Sequence, residues 1–378
     1  MNPTEDLPES DRVDGAPHPR ETVTLVGQDS AERAFLAACN GGKMHHAWLI
    51  SGPRGIGKAT LAWRIARFLL ATDMPACGTM FDDPTPQAET LDIPADHPVA
   101  RRMMALAEPR MFLLRPGWDE KAKRLRQAIT VDEVRKLKDF FHMSAADGGR
   151  RAVIVDCADD LNVNAANALL KLLEEPPADA VLLLVSHQPS GLLPTIRSRC
   201  RQLRCKTLSP DEMKKAMTAA GAEIGSDHAA LSELSCGSVG EAVRFRNLDG
   251  MQTYARLVSM LGALPDLDRP AALRLAESAV GKGNQARFDM VLHLIDLFLA
   301  RTARTGVTGP PLVEAAPGEA ELMQRLAPAP EAGRIWAQLQ QQLGARARHG
   351  KSVNLDPAAL VLDILFRIRD TAAKMQAR

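Results

Sequence analysis

Short apolar runs alternate with helical spacings of apolar residues through the first half of the chain. Three runs, Ala47–Ile50, Arg151–Val155 and Val181–Val185, have the length and composition of buried strands. Met111–Leu114 is a weaker candidate of the same kind. Because helical stretches separate these runs, the pattern predicts an open parallel sheet with helices on both faces.

The predicted helices carry one apolar face each and have recognisable ends. Residues 58–70 place leucine, isoleucine and phenylalanine at spacings of three and four. Residues 130–141 begin at Thr130, a suitable N-cap, and Glu133 completes a capping box. Residues 164–175 form a further helix, which two prolines terminate.

Strand-like runs stop at about residue 207, and the rest of the chain is helical in pattern. Ser209 begins a helix as its N-cap, with proline at the first helical position. We therefore predict an α/β domain over 21–207, a small helical lid over 208–250 and an all-α domain over 251–378.

Two stretches lack periodicity altogether. Residues 1–20 are acidic, rich in proline and aspartate, and have no apolar segment, which predicts a disordered tail and not a signal peptide. Residues 72–99 are also rich in proline and aspartate, which predicts a long surface loop.

Composition restricts the class of protein only broadly. The 378 residues are 46% hydrophobic and 25% charged, as in a globular protein with room for two or three domains. The net charge of +1 neither favours nor excludes nucleic acid. No apolar run approaches the ~20 residues of a membrane span. Six scattered cysteines without a C-x-x-C motif predict reduced thiols in a cytoplasmic protein.

A nearly complete phosphate-binding loop follows the first predicted strand. Residues 52–59 match G-x-x-x-x-G-K-S/T except at the last position, which is Ala59. Such a loop folds backbone N–H groups around phosphate oxygens, and Lys58 would reach the outer phosphates. The missing hydroxyl is the one that ligates Mg²⁺, so the metal chemistry is impaired. The glycines of this candidate ATP site are Gly52, Gly55 and Gly57.

The other elements of a nucleotide site are present only in part. Asp156 ends the second buried strand, where a carboxylate holds Mg²⁺, but the neighbouring position of a water-activating glutamate is Cys157. Thr60 cannot replace the missing hydroxyl, because one helical step rotates a side chain by about 100°; its hydroxyl would at most reach an inner phosphate. Ser186 follows the third strand and would either contact a phosphate or cap a turn.

Two segments carry the most specific pattern of the chain. Residues 167–177 read NALLKLLEEPP, and residues 193–200 read LPTIRSRC. In these segments the chain resembles the clamp-loader branch of the AAA+ family, in which a Ser-Arg-Cys triplet carries an arginine finger. The resemblance assigns that role to Arg199, and a permanently charged planar guanidinium suits the charge on a transferring phosphate. Without the resemblance, Arg199 would be an ordinary surface arginine.

The lid pattern departs from that of active relatives. They have Gly-Ser-x-Arg-x-Ala, whereas residues 237–242 read GSVGEA, with Gly240 in place of the arginine. Three groups are thus lost together, at Ala59, Cys157 and Gly240, while Arg199 is retained. The resemblance therefore implies a subunit that lacks ATP hydrolysis of its own, binds ATP weakly or not at all, and stimulates a neighbour's site.

As the resemblance implies, the chain helps load a sliding clamp onto primed DNA. Its partners would be ATPase motor subunits, a clamp-opening subunit, the clamp and the DNA, with residues 251–378 forming a helical collar between subunits. Many relatives insert a four-cysteine zinc module after the loop helix, but Cys77 stands alone in that stretch, so we expect no zinc or other metal.

Two rival functions stay open on the sequence. An active motor subunit would have to work without the three missing groups. A P-loop phosphotransferase would leave the Ser-Arg-Cys triplet unexplained. A run of arginines and lysines over residues 101–138 would either contact DNA phosphates or form solvated faces balanced by acids elsewhere.

Overall fold

The structure, a computed structural model, describes six stretches of the chain: residues 9–42, 44–72, 87–142, 149–222, 227–281 and 285–376. The chain divides into two compact units, residues 1–223 with 237–241, and residues 224–236 with 242–378. No helix within the described stretches is long and apolar enough to span a membrane.

The first unit contains a parallel sheet of five strands. The described part of this unit contains seven strands: β1 Ala47–Ser51, β2 Met111–Leu114, β3 Trp118–Asp119, β4 Arg124–Leu125, β5 Arg151–Val155, β6 Ala180–Ser186 and β7 Arg201–Arg204. The sheet has the order β2-β5-β6-β1-β7 with every pair parallel, and β3 and β4 form a small antiparallel hairpin. The predicted parallel sheet is therefore confirmed, and β7 is an edge strand that the apolar pattern did not indicate.

Helices cover both faces of this sheet, as predicted. The helices of this unit include α1 Asp29–Asn40, α2 Lys58–Ala71, α3 Pro98–Met104, α4 Val131–His142, α5 Val163–Glu174, α6 Pro194–Ser198 and α7 Pro210–Ala219. The capping contact of α4 is present in one direction, because the Glu133 carboxylate accepts from the Thr130 backbone N–H at 2.8 Å and also from the Thr130 hydroxyl. Ser209 and Glu212 form a complete, reciprocal capping box at α7.

The core of the unit lies on the sheet. Val153 and Leu182 are fully buried on the face that α4 and α5 cover, together with Leu137 and Leu169 of those helices. Each such side chain contributes about 1.5–3 kcal/mol of hydrophobic stabilisation. The opposite face packs on α2, whose Leu61 is also fully buried.

The described part of the predicted N-terminal tail contacts the α/β unit. His18 is fully buried, and its ring lies edge-on to Trp63 with centroids 5.9 Å apart. Arg67 on α2 donates to the Arg20 carbonyl at 2.7 Å. Residues 9–22 are thus fixed on the α/β unit by long-range contacts, and residues 1–8 lie outside the described stretches.

The predicted surface loop over 72–99 is confirmed in part. Residues 87–97 form neither helix nor strand, but Leu91 is buried and α3 begins at Pro98. Residues 73–86, with Cys77, lie outside the described stretches.

The described secondary structure of the second unit is entirely α-helical. Its described helices are α8 His228–Leu234, α10 Gly250–Leu261, α11 Arg269–Ser278, α12 Gln285–Thr308, α13 Glu319–Leu326, α14 Pro330–Ser352 and α15 Pro357–Gln376; α9 Val239–Asn247 runs from the first unit into the second. A Cβ on Gly306 of α12 would lie 2.9 Å from the Gly333 Cα of α14, so these helices cross where neither has a side chain. The residues of the predicted lid, 208–250, are divided between the two units, and the three-part organisation stays a prediction.

Candidate functional site

The phosphate-binding loop lies at the carboxyl edge of the sheet. It connects β1 to α2, and Gly57 caps that helix at φ +95°, a conformation that favours glycine. Ser51 at the end of β1 is in register with Ser186 at the end of β6, and Asp156 directly follows β5. The structure therefore brings the loop, Asp156 and Ser186 together at one edge, where ligands of open parallel sheets bind.

Lys58 is buried inside its own loop. Its side chain is 3% exposed, and the ammonium donates to the Pro53 carbonyl. Burial lowers the pKa of Lys58 from 10.5 to about 8, which neighbouring acidic groups offset only in part. A buried ammonium group among backbone dipoles is well placed to bind an anion. When no anion is bound, the buried charge destabilises the fold.

Lys58→Met should stabilise the chain at pH 7 without added nucleotide, by about 3 kcal/mol. Because the folded-state pKa is depressed to about 8, the destabilisation is complete below pH 8 and fades as the pH rises towards 10.5. Urea unfolding of the unmodified chain and of Lys58→Met, at pH 7 and at pH 9, measures the difference in their free energies of unfolding. The gain should be smaller at pH 9, and a lower midpoint for the variant at pH 7 would contradict the expectation.

The acidic edge of the site is poorly suited to Mg²⁺. Burial, together with the nearby charge of Asp11, raises the pKa of Asp156 to about 7. Ala59 supplies no oxygen ligand. Burial also raises the pKa of the Cys157 thiol, whose Sγ lies 3.4 Å from an Asp160 carboxylate oxygen, so Cys157 is a neutral donor and not a base.

The Ser186 hydroxyl is engaged by its own turn. Its Oγ donates to Asp159 Oδ1 at 2.8 Å, and the same carboxylate accepts from the backbone N–H of Gln188 at 3.2 Å. This contact favours turn-capping over phosphate contact, the two roles that the sequence left open.

Residues 237–241 pack directly on the phosphate-binding loop, which the sequence did not indicate. The Ser238 hydroxyl donates to the Arg54 carbonyl at 2.8 Å, and the Gly240 N–H donates to the Gly55 carbonyl at 2.9 Å. A Cβ on Gly240 would lie 2.9 Å from the Gly55 Cα. Gly240 is therefore a point of backbone contact, and any side chain there, arginine included, would displace the loop.

Part of the basic stretch forms ion pairs within the chain. Arg102 and Arg110 both bind Glu108, at 2.8 and 3.1 Å. Arg115 binds Glu9 at 3.1 Å and also contacts Asp11 of the N-terminal segment. These pairs favour the interpretation of balanced faces over a continuous DNA-binding surface.

Arg199 lies at the amino edge of the sheet, where the parallel strands begin, whereas the loop lies at the carboxyl edge, where they end. It precedes β7, whose first residue Arg201 pairs with Trp48 at the start of β1, whereas Arg204 pairs with Ser51 beside the loop. At about 3.3 Å per strand residue, this separates Arg199 from its own loop by roughly 10 Å or more. The guanidinium is 36% exposed and bonded to Glu174 at 2.9 Å and to the Thr195 carbonyl at 3.0 Å.

Comparison with known proteins agrees with the resemblance seen in the sequence. A family model described as "DNA polymerase III, delta subunit" matches residues 27–209. DNA polymerase III subunit delta' of Pseudomonas aeruginosa is 36% identical over 254 residues, which cover 65% of this chain and 70% of that protein. The subunit of the same name from Escherichia coli is 32% identical over 60% of this chain and 62% of that protein.

A solved structure of a gamma subunit-related protein from Thermotoga maritima aligns with 89% of this chain and 99% of that one, at 18% identity and a TM-score of 0.40. The sequence relationship decides the family, since it extends over more than two thirds of the Pseudomonas protein. The chain belongs to the family of DNA polymerase III delta' subunits.

Proposed function

We propose that this chain is a non-motor subunit of a bacterial clamp loader and supplies Arg199 in trans to a neighbouring ATPase site. The observation that carries the proposal is the position of Arg199, exposed at the amino edge of the sheet, whereas the chain's own loop lies at the carboxyl edge. An arginine so placed cannot reach a phosphate in its own loop, but it is accessible to another subunit.

The state of the chain's own loop supports the non-motor role. Ala59 offers no metal ligand, the Cys157 thiol is neutral, and Gly240 leaves no room for a lid arginine. In this proposal the loop serves as a scaffold onto which residues 237–241 pack, and the chemistry takes place in the neighbour's site.

Within the DNA polymerase III holoenzyme, a DNA-directed DNA polymerase, the chain would help load the sliding clamp onto primed DNA in the cytoplasm. Its partners would be the ATPase motor subunits and the delta subunit, with the clamp and DNA bound by the assembly. Residues 208–250 would act as a lid and residues 251–378 as the collar that joins subunits.

The test of the proposed function is Arg199→Ala in the reconstituted assembly. ATP turnover stimulated by clamp and primed DNA should fall while the assembly stays intact. Unchanged turnover would overturn the finger role.

A motor role is the second candidate, since the loop glycines and Lys58 are retained. We expect the isolated chain to show no Mg²⁺-dependent ATP turnover and no tight ATP binding by calorimetry. Ala59→Thr, which restores the missing hydroxyl, should not restore turnover, because Cys157 and Gly240 remain. Turnover by the unmodified chain that an Asp156→Asn variant loses would favour the motor role instead.

A further inference from the structure

We propose that Glu174 is a positioning residue for Arg199, an inference that rests on the proposed finger role. Glu174 is the last residue of α5, and its Oε1 lies 2.9 Å from Arg199 Nη2. Arg199 Nη1 donates to the Thr195 carbonyl at 3.0 Å. The two contacts hold both terminal nitrogens of the guanidinium in one orientation.

Glu174 ends a helix that packs on the sheet, and its own side chain is 49% exposed. The preceding residues of α5 include Leu169 and Leu173, which are 0% and 2% exposed in the core of the sheet. Arg199 follows α6, a five-residue helix whose Ile196 is buried in the same core, and the long arginine side chain has several rotatable bonds. The ion pair with Glu174 limits the orientations of the Arg199 guanidinium, which lowers the entropy lost when the guanidinium meets a phosphate.

The contact leaves the finger free to act. A guanidinium has five N–H donors, of which these two contacts use two. The remaining donors can bind phosphate oxygens of a neighbouring subunit while Glu174 stays bound. The pair thus orients Arg199 without competing for all of its donors.

Helix stability does not account for an acid at this position. A carboxylate in the last turn of a helix interacts unfavourably with the helix dipole. The next residue, Glu175, is exposed and makes no ion pair within the described stretches. The two adjacent glutamates therefore differ in the contact with Arg199, which makes Glu175 a matched control.

The test compares Glu174→Ala, Glu174→Gln and Glu175→Ala in the reconstituted assembly, with clamp and primed DNA present. Glu174→Ala should lower kcat for ATP about two- to fivefold, the effect expected for an exposed ion pair, and leave KM unchanged. Glu174→Gln, which keeps an oxygen acceptor, should lose less. Glu175→Ala should match the unmodified assembly, and gel filtration should show all assemblies intact.

A double variant separates this inference from the proposed function. In an Arg199→Ala background, Glu174→Ala should have no further effect, because the residue that it positions is gone. If Arg199→Ala alone leaves turnover unchanged, the finger role fails and Glu174 with it. If Arg199→Ala lowers turnover but Glu174→Ala leaves kcat unchanged or raises it, the positioning role alone is overturned.

Discussion

Arg199→Ala should remove ATP hydrolysis at one site of the reconstituted assembly while the subunits stay associated. The transferring phosphate group carries negative charge that its own subunit neutralises only in part, and an arginine finger is worth about 10³–10⁵ in kcat at the site that it completes. Arg199 is 36% exposed at the edge of the sheet remote from its own loop, so its loss should not disturb the core.

The effect is best seen in a single turnover of ATP bound to the assembly. With clamp and primed DNA present, rapid quenching should show that the amplitude of the fast phase falls by the fraction that one ATPase site contributes. Gel filtration should show an unchanged assembly, since the variant removes one exposed side chain.

Two further variants test whether the effect requires an arginine at position 199. Arg197→Ala removes an exposed arginine two residues earlier and should behave as the unmodified protein. Arg199→Lys keeps the charge but not the planar fork of donors, and should recover little activity. A fast phase of full amplitude in Arg199→Ala would contradict the finger role, as would an equal loss in Arg197→Ala.

The sequence predicted the elements at the carboxyl edge of the sheet because their signals are local. Three strands lead to the loop, to Asp156 and to Ser186. These strands are buried on both faces and therefore appear in the sequence as apolar runs. β7 was missed because only Leu203 of its four residues is buried, and an edge strand with one buried side chain has no distinctive pattern.

Contacts between distant parts of the chain left no such signal. The acidic N-terminal segment has the composition of a disordered tail, but its Glu9 pairs with Arg115, more than 100 residues later. Gly240 could be recognised as the loss of an arginine, whereas its contact with Gly55 depends on the fold of both segments. Composition describes a segment by itself and cannot show which partner will neutralise or cover it.

A buried ionic network in the second unit was equally invisible in the sequence. Glu319 is fully buried at the start of α13, and its two carboxylate oxygens accept four hydrogen bonds. Arg301 of α12 donates to them at 2.7 and 3.1 Å, the Tyr254 hydroxyl of α10 at 2.5 Å, and the Ala315 N–H at 2.6 Å. The network therefore connects three helices through a single side chain.

Glu319→Gln should lower the free energy of unfolding of this unit by about 3–5 kcal/mol. Glutamine keeps the shape of the side chain but replaces one acceptor oxygen by an NH₂ group, which would face donors. Arg301, only 6% exposed, would keep Glu233 at 2.8 Å as its remaining carboxylate partner. Hydrogen exchange resolved to α10, α12 and α13 measures the loss where it arises.

Two comparisons decide whether the network has this role. Glu321→Gln changes an exposed glutamate of the same helix and should leave exchange unchanged. Replacing both partners, as in Arg301→Met with Glu319→Leu, should be less destabilising than the sum of the single changes, because no buried charge is left unpaired. Exchange in Glu319→Gln that matches Glu321→Gln would show that the four hydrogen bonds contribute little to the stability of the unit.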